Sequence, residues 1–260
     1  MNVLVEACVD SVRGALAAER AGAGRLELCA NLVEGGTTPS AGMLRATARC
    51  TRLPVFAMVR PRGGDFVYDA AEIEVMLRDV EAAQGCDAHG IVSGALNPDG
   101  TIDEDGTAAL MEAAHPLPFT FHRAFDLTRD LDESLDTLQA LGVQRVLTSG
   151  GAPTAAEGCE VLARLVRRAG SRIVVMAGGG IRAGNVERVV REGGVTEVHM
   201  RGAMRVESRM THRAAATIAR AYQPDDYAWN ATDEEAIRDV VQVVTPAVMP
   251  AIPVTPFASS

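Results

Sequence analysis

Short apolar runs alternate with helical periodicity from the first residues to about position 200, and no other feature restricts this chain's fold as strongly. The runs at 2–8, 25–29, 54–60, 90–93, 119–122, 145–148, 173–177 and 197–200 read as β-strands bounded by turn residues. Between them, apolar spacings of three and four predict helices at 11–21, 39–50, 70–83, 104–114, 131–141, 154–168 and 182–191. Strand–helix alternation builds a parallel sheet, and eight such units close a (β/α)8 barrel of the TIM type, an α/β fold. At 260 residues the chain has room for that barrel as one domain over 1–202. A C-terminal helical extension of the same domain is expected at 203–244, partly helical over 201–221 and closed by a helix at 232–244. A tail at 245–260 carries Pro246, Pro250, Pro253 and Pro256.

Turn chemistry points to which end of the barrel is functional. Gly22, Gly85, Gly142, Gly170 and Gly193 fall where a left-handed glycine returns a helix to the next strand. Thr38 reads as an N-cap with Pro39 at the first helical position. The loops after the strands, at 30–38, 61–69 and 124–130, are longer and chemically richer, and the C-terminal face is where barrels of this kind keep their sites.

Composition excludes several functions. A formal charge of −9 with no basic run argues against nucleic acid or an anionic membrane as partner. All 25 basic residues are Arg, so Schiff-base chemistry through a lysine amine and a P-loop lysine are both ruled out. Neither a signal-peptide pattern nor a membrane-spanning run is evident, and a cytoplasmic location is expected. Five widely spaced cysteines fit free thiols in a reducing compartment. A homo-oligomer stays open.

Chemistry collects at the strand ends. The strings ending at Cys8 and Cys29 each place a carboxylate, Glu6 or Glu27, two residues before a thiol, so each pair shares one face of its strand. A carboxylate in an otherwise apolar strand is either a buried ion pair or part of a site, and two on adjacent strands push their pKa values apart into an acid and a base. Neighbouring strands lie about 4.8 Å apart, so the two thiols can approach one soft ion such as Cu(I), although a nearby carboxylate disfavours the thiolate. Arg60 shares a strand face with Phe56 and Met58 and is placed to neutralise Glu6 or Glu27, or to bind an anion. His122, Arg123 and Asp126 end the fifth strand, and His199 ends the eighth, candidates for proton transfer and ligand binding. Thr148-Ser149-Gly150-Gly151 and the run from Gly178 and Gly179 onward are glycine-rich turns of the kind that bind phosphate through backbone N–H groups, or merely turn tightly.

The ordered set Glu6-Ala7-Cys8, 25–30, 34–40, 60–66, Pro98-Asp99-Gly100, 121–126, 147–150, 176–180 and Glu197-Val198-His199 resembles the CutC family of copper homeostasis proteins from about Val3 to Gly202. That resemblance implies a TIM-type barrel, a cytoplasmic protein and a role in copper handling, with copper bound through Cys8 and Cys29. Met200 and Arg201 stand where the family has small residues, and Arg201 offers a cation there. The strand-end chemistry also supports a different expectation, an enzyme acting on a small carboxylate or phosphate metabolite. Glu6, Glu27, His122 and Asp126 would then be catalytic, and Arg60, Arg123, Thr148, Ser149, Gly178, Gly179 and His199 would bind the ligand.

Overall fold

A computed structural model of the chain describes residues 3–216, 218 and 225–245. Eight parallel strands close a barrel in sequential order: β1 (Leu4–Val9), β2 (Arg25–Leu28), β3 (Val55–Met58), β4 (Gly90–Ser93), β5 (Phe119–Phe121), β6 (Arg145–Thr148), β7 (Val174–Gly178) and β8 (Glu197–Met200). Closure joins β1 to β8 with Leu4 opposite Glu197 and Glu6 opposite His199. The helices between them are α1 (Val12–Ala21), α2 (Ala41–Cys50), α3 (Ala70–Gln84), α4 (Glu104–Ala114), α5 (Leu131–Leu141), α6 (Cys159–Ala169) and α7 (Ala183–Gly193). The fold is the TIM-type barrel that strand–helix alternation predicts.

Side-chain caps start most of these helices. Ser11 accepts from Gly14 N at 3.0 Å, and Asp69 and Glu72 form a reciprocal capping box. The expected cap of α2 shifts by two residues. Ser40 accepts from Met43 N at 3.2 Å, while the Thr38 hydroxyl accepts from Arg60 N and donates to Arg60 O, tying the loop after β2 to the end of β3. α6 starts at Cys159 rather than 154, because the Thr154 hydroxyl turns the chain onto Glu157. Gly22 and Gly142 take the left-handed role, whereas Gly85 stays right-handed at φ −66° and Gly194 replaces Gly193.

Strand alternation divides the buried side chains. Outward residues such as Ala7, Val9, Leu26, Leu28 and Ala57 pack under the helices as one extended apolar core. Inside the barrel a small apolar patch, Cys8, Cys29, Phe56, Met58 and Val92, lies beside a group of buried charged side chains, Glu6, Arg25 and Glu27 among them. Beyond β8, helix gives way to an antiparallel pair, β9 (Met204–Glu207) with β10 (Ala228–Ala231), where 201–221 is expected to be partly helical. Ion pairs from Arg205 to Glu207 and Asp225 anchor this ribbon. The last helix among the described residues, α8 (Glu234–Val244), capped by Asp233, packs Ile237, Val240 and Val244 inward between α1 and α7. The proline-bearing tail at 246–260 lies outside the described residues.

Candidate functional site

An ionic layer forms the floor of the barrel mouth. Glu6, fully buried, accepts from the Arg25 guanidinium and from His199 Nδ1 at 2.8 Å. Arg25 also donates to Glu197, which is held from the other side by Arg145 at 2.6 and 3.1 Å. Both guanidinium groups lie over the Phe56 ring, 5.0 and 5.5 Å from its centroid. Two cations and two anions alternate, so each buried charge has an opposite neighbour. Arg60, expected to neutralise Glu6 or Glu27, does neither. Arg25 reaches Glu6 instead, because it points inward on the strand paired with β1. Arg25, Arg145 and Glu197 escaped the sequence reasoning, yet each precedes an inward residue, Glu27, Leu147 or His199, by one strand period.

Above that floor lies a softer cluster. Cys8 stands opposite Glu27 in the β1–β2 register, and its sulfur is 3.8 Å from that of Cys29. The Cys29 sulfur also lies 3.4 Å from Glu27 Oε2, and His199 Nε2 lies 3.8 Å from the same oxygen. Donor atoms of Cys8, Glu27 and His199 all fall within 4.8 Å of one another. Burial raises the Glu6 carboxyl, but the His199 hydrogen bond and the Arg25 charge outweigh it and bring its pKa down to about 2. Burial also pushes Glu27 well above the usual carboxylate range, with the Cys8 charge adding to the rise and His199 only partly offsetting it. The hydrogen bond from Cys29, helped by His199, lowers Cys8 to about 5 against its own burial, while the Cys29 thiol is pushed up. His199 is disfavoured as a cation by burial, yet the carboxylates and Cys8 around it raise it well above an ordinary imidazole. The expected protection of the thiols by a carboxylate therefore reverses: Glu27 tends to neutrality, and Cys8 carries the charge beside His199.

A cavity of about 290 Å³ opens over this cluster. Of the residues expected at the site, Cys8, Glu27, Arg60, His122, Arg123, Gly179 and His199 line it, and Arg201 joins them at the rim. Glu6 and Cys29 sit behind that wall, as do Asp126, Thr148, Ser149 and Gly178. Asp126 receives the Ser149 and Gly151 amides at 3.0 Å, the Thr148 and Ser149 hydroxyls and the Arg123 guanidinium. Gly150 N is taken by Thr148 Oγ1. The turn after β6, expected either to cradle phosphate or merely to turn tightly, has its amides filled by the protein's own groups, the Asp126 carboxylate and the Thr148 hydroxyl. His122 accepts from Ala124 N through Nδ1 at 3.3 Å, and burial, with the Arg60 charge, lowers its pKa to about 3. A neutral ring so placed is a hydrogen-bond donor rather than a proton shuttle.

This strand-end constellation coincides with a family match over residues 3–204 to the CutC family. The chain belongs to the CutC family. A human CutC relative, the copper homeostasis protein cutC homolog, is 46% identical over 236 residues, covering 90% of this chain and 86% of the human protein. A CutC family protein of Mesorhizobium japonicum is 50% identical over 210 residues, 81% of each chain. The crystal structure of a CutC protein from Streptococcus agalactiae superposes with a TM-score of 0.73 at 35% identity, covering 76% of this chain and 97% of that one. Phosphoribosylanthranilate isomerase of Thermotoga maritima, at 12% identity and a TM-score of 0.54, shares the CutC barrel fold alone.

Proposed function

We propose that the protein handles copper in the cytoplasm by holding Cu(I) at the floor of the barrel mouth through Cys8, Cys29 and His199. The convergence of the Cys8, Glu27 and His199 donor atoms within 4.8 Å, with the Cys29 sulfur 3.8 Å from Cys8, supports this reading. Two bonds of about 2.3 Å, the length of a zinc–thiolate bond, span at most about 4.6 Å, so the sulfurs are close enough to share one ion. Thiolate and imidazole are the donors that suit Cu(I), whereas a carboxylate suits harder ions. Glu27, kept neutral by its raised pKa, is therefore a hydrogen-bonding neighbour of the thiols rather than a ligand, and the proton that Cys29 must release when metal binds leaves to solvent through the mouth. Glu6 accepts from His199 Nδ1 and so turns Nε2 toward the cluster, as outer carboxylates do for metal-binding histidines. Five free cysteines fit a reducing cytoplasm.

Titration with Cu(I) against a competing chelator tests the assignment. The Cys8→Ser, Cys29→Ser double variant is expected to lose more than the roughly 10–100-fold that outer-sphere changes cost. Equal affinity in the double variant and the unaltered protein would reject the site.

One observation favours a second reading. At about 290 Å³ the cavity holds roughly ten water-sized groups, far more than an ion requires, and three arginines, Arg60, Arg123 and Arg201, border it. We read it as the receptor of a small anionic metabolite, with Glu27, Cys8 and His199 as the proton-exchanging pole, and with Asp126, Thr148 and Ser149 building the wall that orients Arg123. A thermal-shift screen with carboxylated and phosphorylated metabolites is the check. Stabilisation by some member, diminished in Glu27→Gln, is expected, and no response to any anion would remove the reading.

A further inference from the structure

Two buried polar side chains in the cavity wall have a nitrogen without a partner, and they are neighbours. Arg60 follows β3 and His122 follows β5, and Phe66 packs on both, 4.7 Å from the Arg60 guanidinium carbon and 4.7 Å between ring centroids for His122. They are 5% and 3% exposed. The Arg60 Nη atoms donate to the carbonyls of Glu34, Gly36 and Gly64 at 2.8 to 2.9 Å, and among the described residues Arg60 pairs with no carboxylate. Its Nε has no partner, and neither has His122 Nε2. Since His122 Nδ1 accepts from Ala124 N, the ring proton sits on Nε2, and this nitrogen is a donor.

A buried cation without a counter-charge is costly, and carbonyl dipoles offset only part of that cost. The interior of this barrel makes the contrast plain: Arg25 and Arg145 each have a carboxylate, and Arg60 alone of the three has none. What Arg60 and His122 lack together is one negative charge and acceptors for two N–H groups. A carboxylate brings one charge and two oxygens. A phosphate monoester brings about −1.5 to −2 charges and three oxygens, more than this pair can satisfy. A third partnerless atom of the same wall, Glu27 Oε1, can accept from a hydroxyl.

We infer that Arg60 and His122 form the receiving subsite for the carboxylate of a small hydroxy acid, whose hydroxyl is taken by Glu27. This rests on the reading of the cavity as an anionic-metabolite receptor and narrows it to one ligand class.

A matched set of three-carbon probes tests it: glycerate, glycerol 3-phosphate and glycerol, each titrated into the full chain and followed by melting temperature and calorimetry. Glycerate alone is expected to raise the melting temperature. His122→Asn keeps an oxygen for the Ala124 amide and removes the donor, and is expected to weaken glycerate binding at least tenfold. In the unaltered protein labelled with nitrogen-15 at histidine, the His122 Nε2 resonance is expected to shift on saturation with glycerate. That second measurement decides the matter if the variant does not fold. Stabilisation by glycerol 3-phosphate in preference to glycerate, abolished by Arg123→Gln, would overturn the carboxylate subsite and leave the anionic-metabolite reading standing. Glycerate binding with no change at His122 would overturn the subsite too. Failure of both anions to bind would overturn the subsite, and the receptor falls with it only where no anion of the wider metabolite screen stabilises the protein.

Discussion

Glu6 and Glu27 are the same side chain on adjacent strands, equally buried, and they titrate in opposite directions. The difference is company: Glu6 has Arg25 and a hydrogen bond from His199, while Glu27 has one orphaned oxygen, the thiols and His199 only at 3.8 Å. With the Glu6 carboxyl near 2 in the folded chain against 4.5 unfolded, the unfolded state binds the extra proton between those values, so stability is full above pH 4.5 and falls toward pH 2. The full swing is about 3 kcal/mol at about 1.4 kcal/mol per unit. Urea unfolding of the native chain at pH 7, 5, 4 and 3 is expected to follow that slope, and Glu6→Gln to flatten it. At pH 7 the Glu6→Gln change should cost about 3–5 kcal/mol, because Arg25 loses a buried partner. Glu27→Gln should cost less, since burial has pushed the folded pKa of Glu27 up, an arrangement whose stabilising side lies below pH 4.5 and is lost as pH rises. That each carboxylate shares a strand face with its cysteine was legible from the strand period, and the cost of a lone charge in an apolar strand pointed to a site. Which cation each would meet was not, because Arg25, Arg145 and Glu197 meet across the barrel from strands far apart in sequence.

At the scale of elements, the barrel interior depends on where a strand leaves room. Gly90 on β4 faces the Phe56 ring, and a methyl group there would lie 2.6 Å from it. Phe56 is the plate on which Arg25 and Arg145 rest, so the absent side chain of one strand seats two cations of others. Gly90→Ala is expected to destabilise by about 1–3 kcal/mol, the usual cost of overpacking, measurable as a lower urea midpoint at unchanged slope. Cap chemistry supplies a milder case. Asp69→Ala removes one half of the α3 capping box and should cost about 1 kcal/mol, or roughly 2–4 °C in melting temperature. Strand and helix positions were readable because period two and period 3.6 differ plainly in this sequence. The start of α2 and the turn before α6 were not, since Thr38 and Thr154 are equally good caps and turn-formers until tertiary partners choose. β9 was missed for a related reason: its residues are largely exposed and carry little apolar alternation.

At the scale of the molecule, α8 is part of the barrel's wall. α8 fills the gap between α7 and α1, with Ile237 and Val240 fully buried and the Arg20–Glu234 pair outside. Burying an aliphatic side chain contributes about 1.5–3 kcal/mol, so Ile237, Val240 and Val244 together rival a domain's net stability of about 5–15 kcal/mol. Ending the chain at residue 231 is therefore expected to abolish cooperative thermal unfolding followed by circular dichroism, and retention of a sharp transition would show that the barrel closes without α8. The overall architecture was legible because it depends on a count of repeating units, whereas the mouth depends on contacts between those units.

The ionic layer of Arg25, Glu6, Glu197 and Arg145 across the barrel axis has a bearing on traffic. It corks the cylinder beneath Cys8 and His199, turning a would-be tunnel into a cup. Under the copper-holding proposal, an ion at the bottom would leave over the lip by which it arrived, and an acceptor would have to reach in at the mouth to take it.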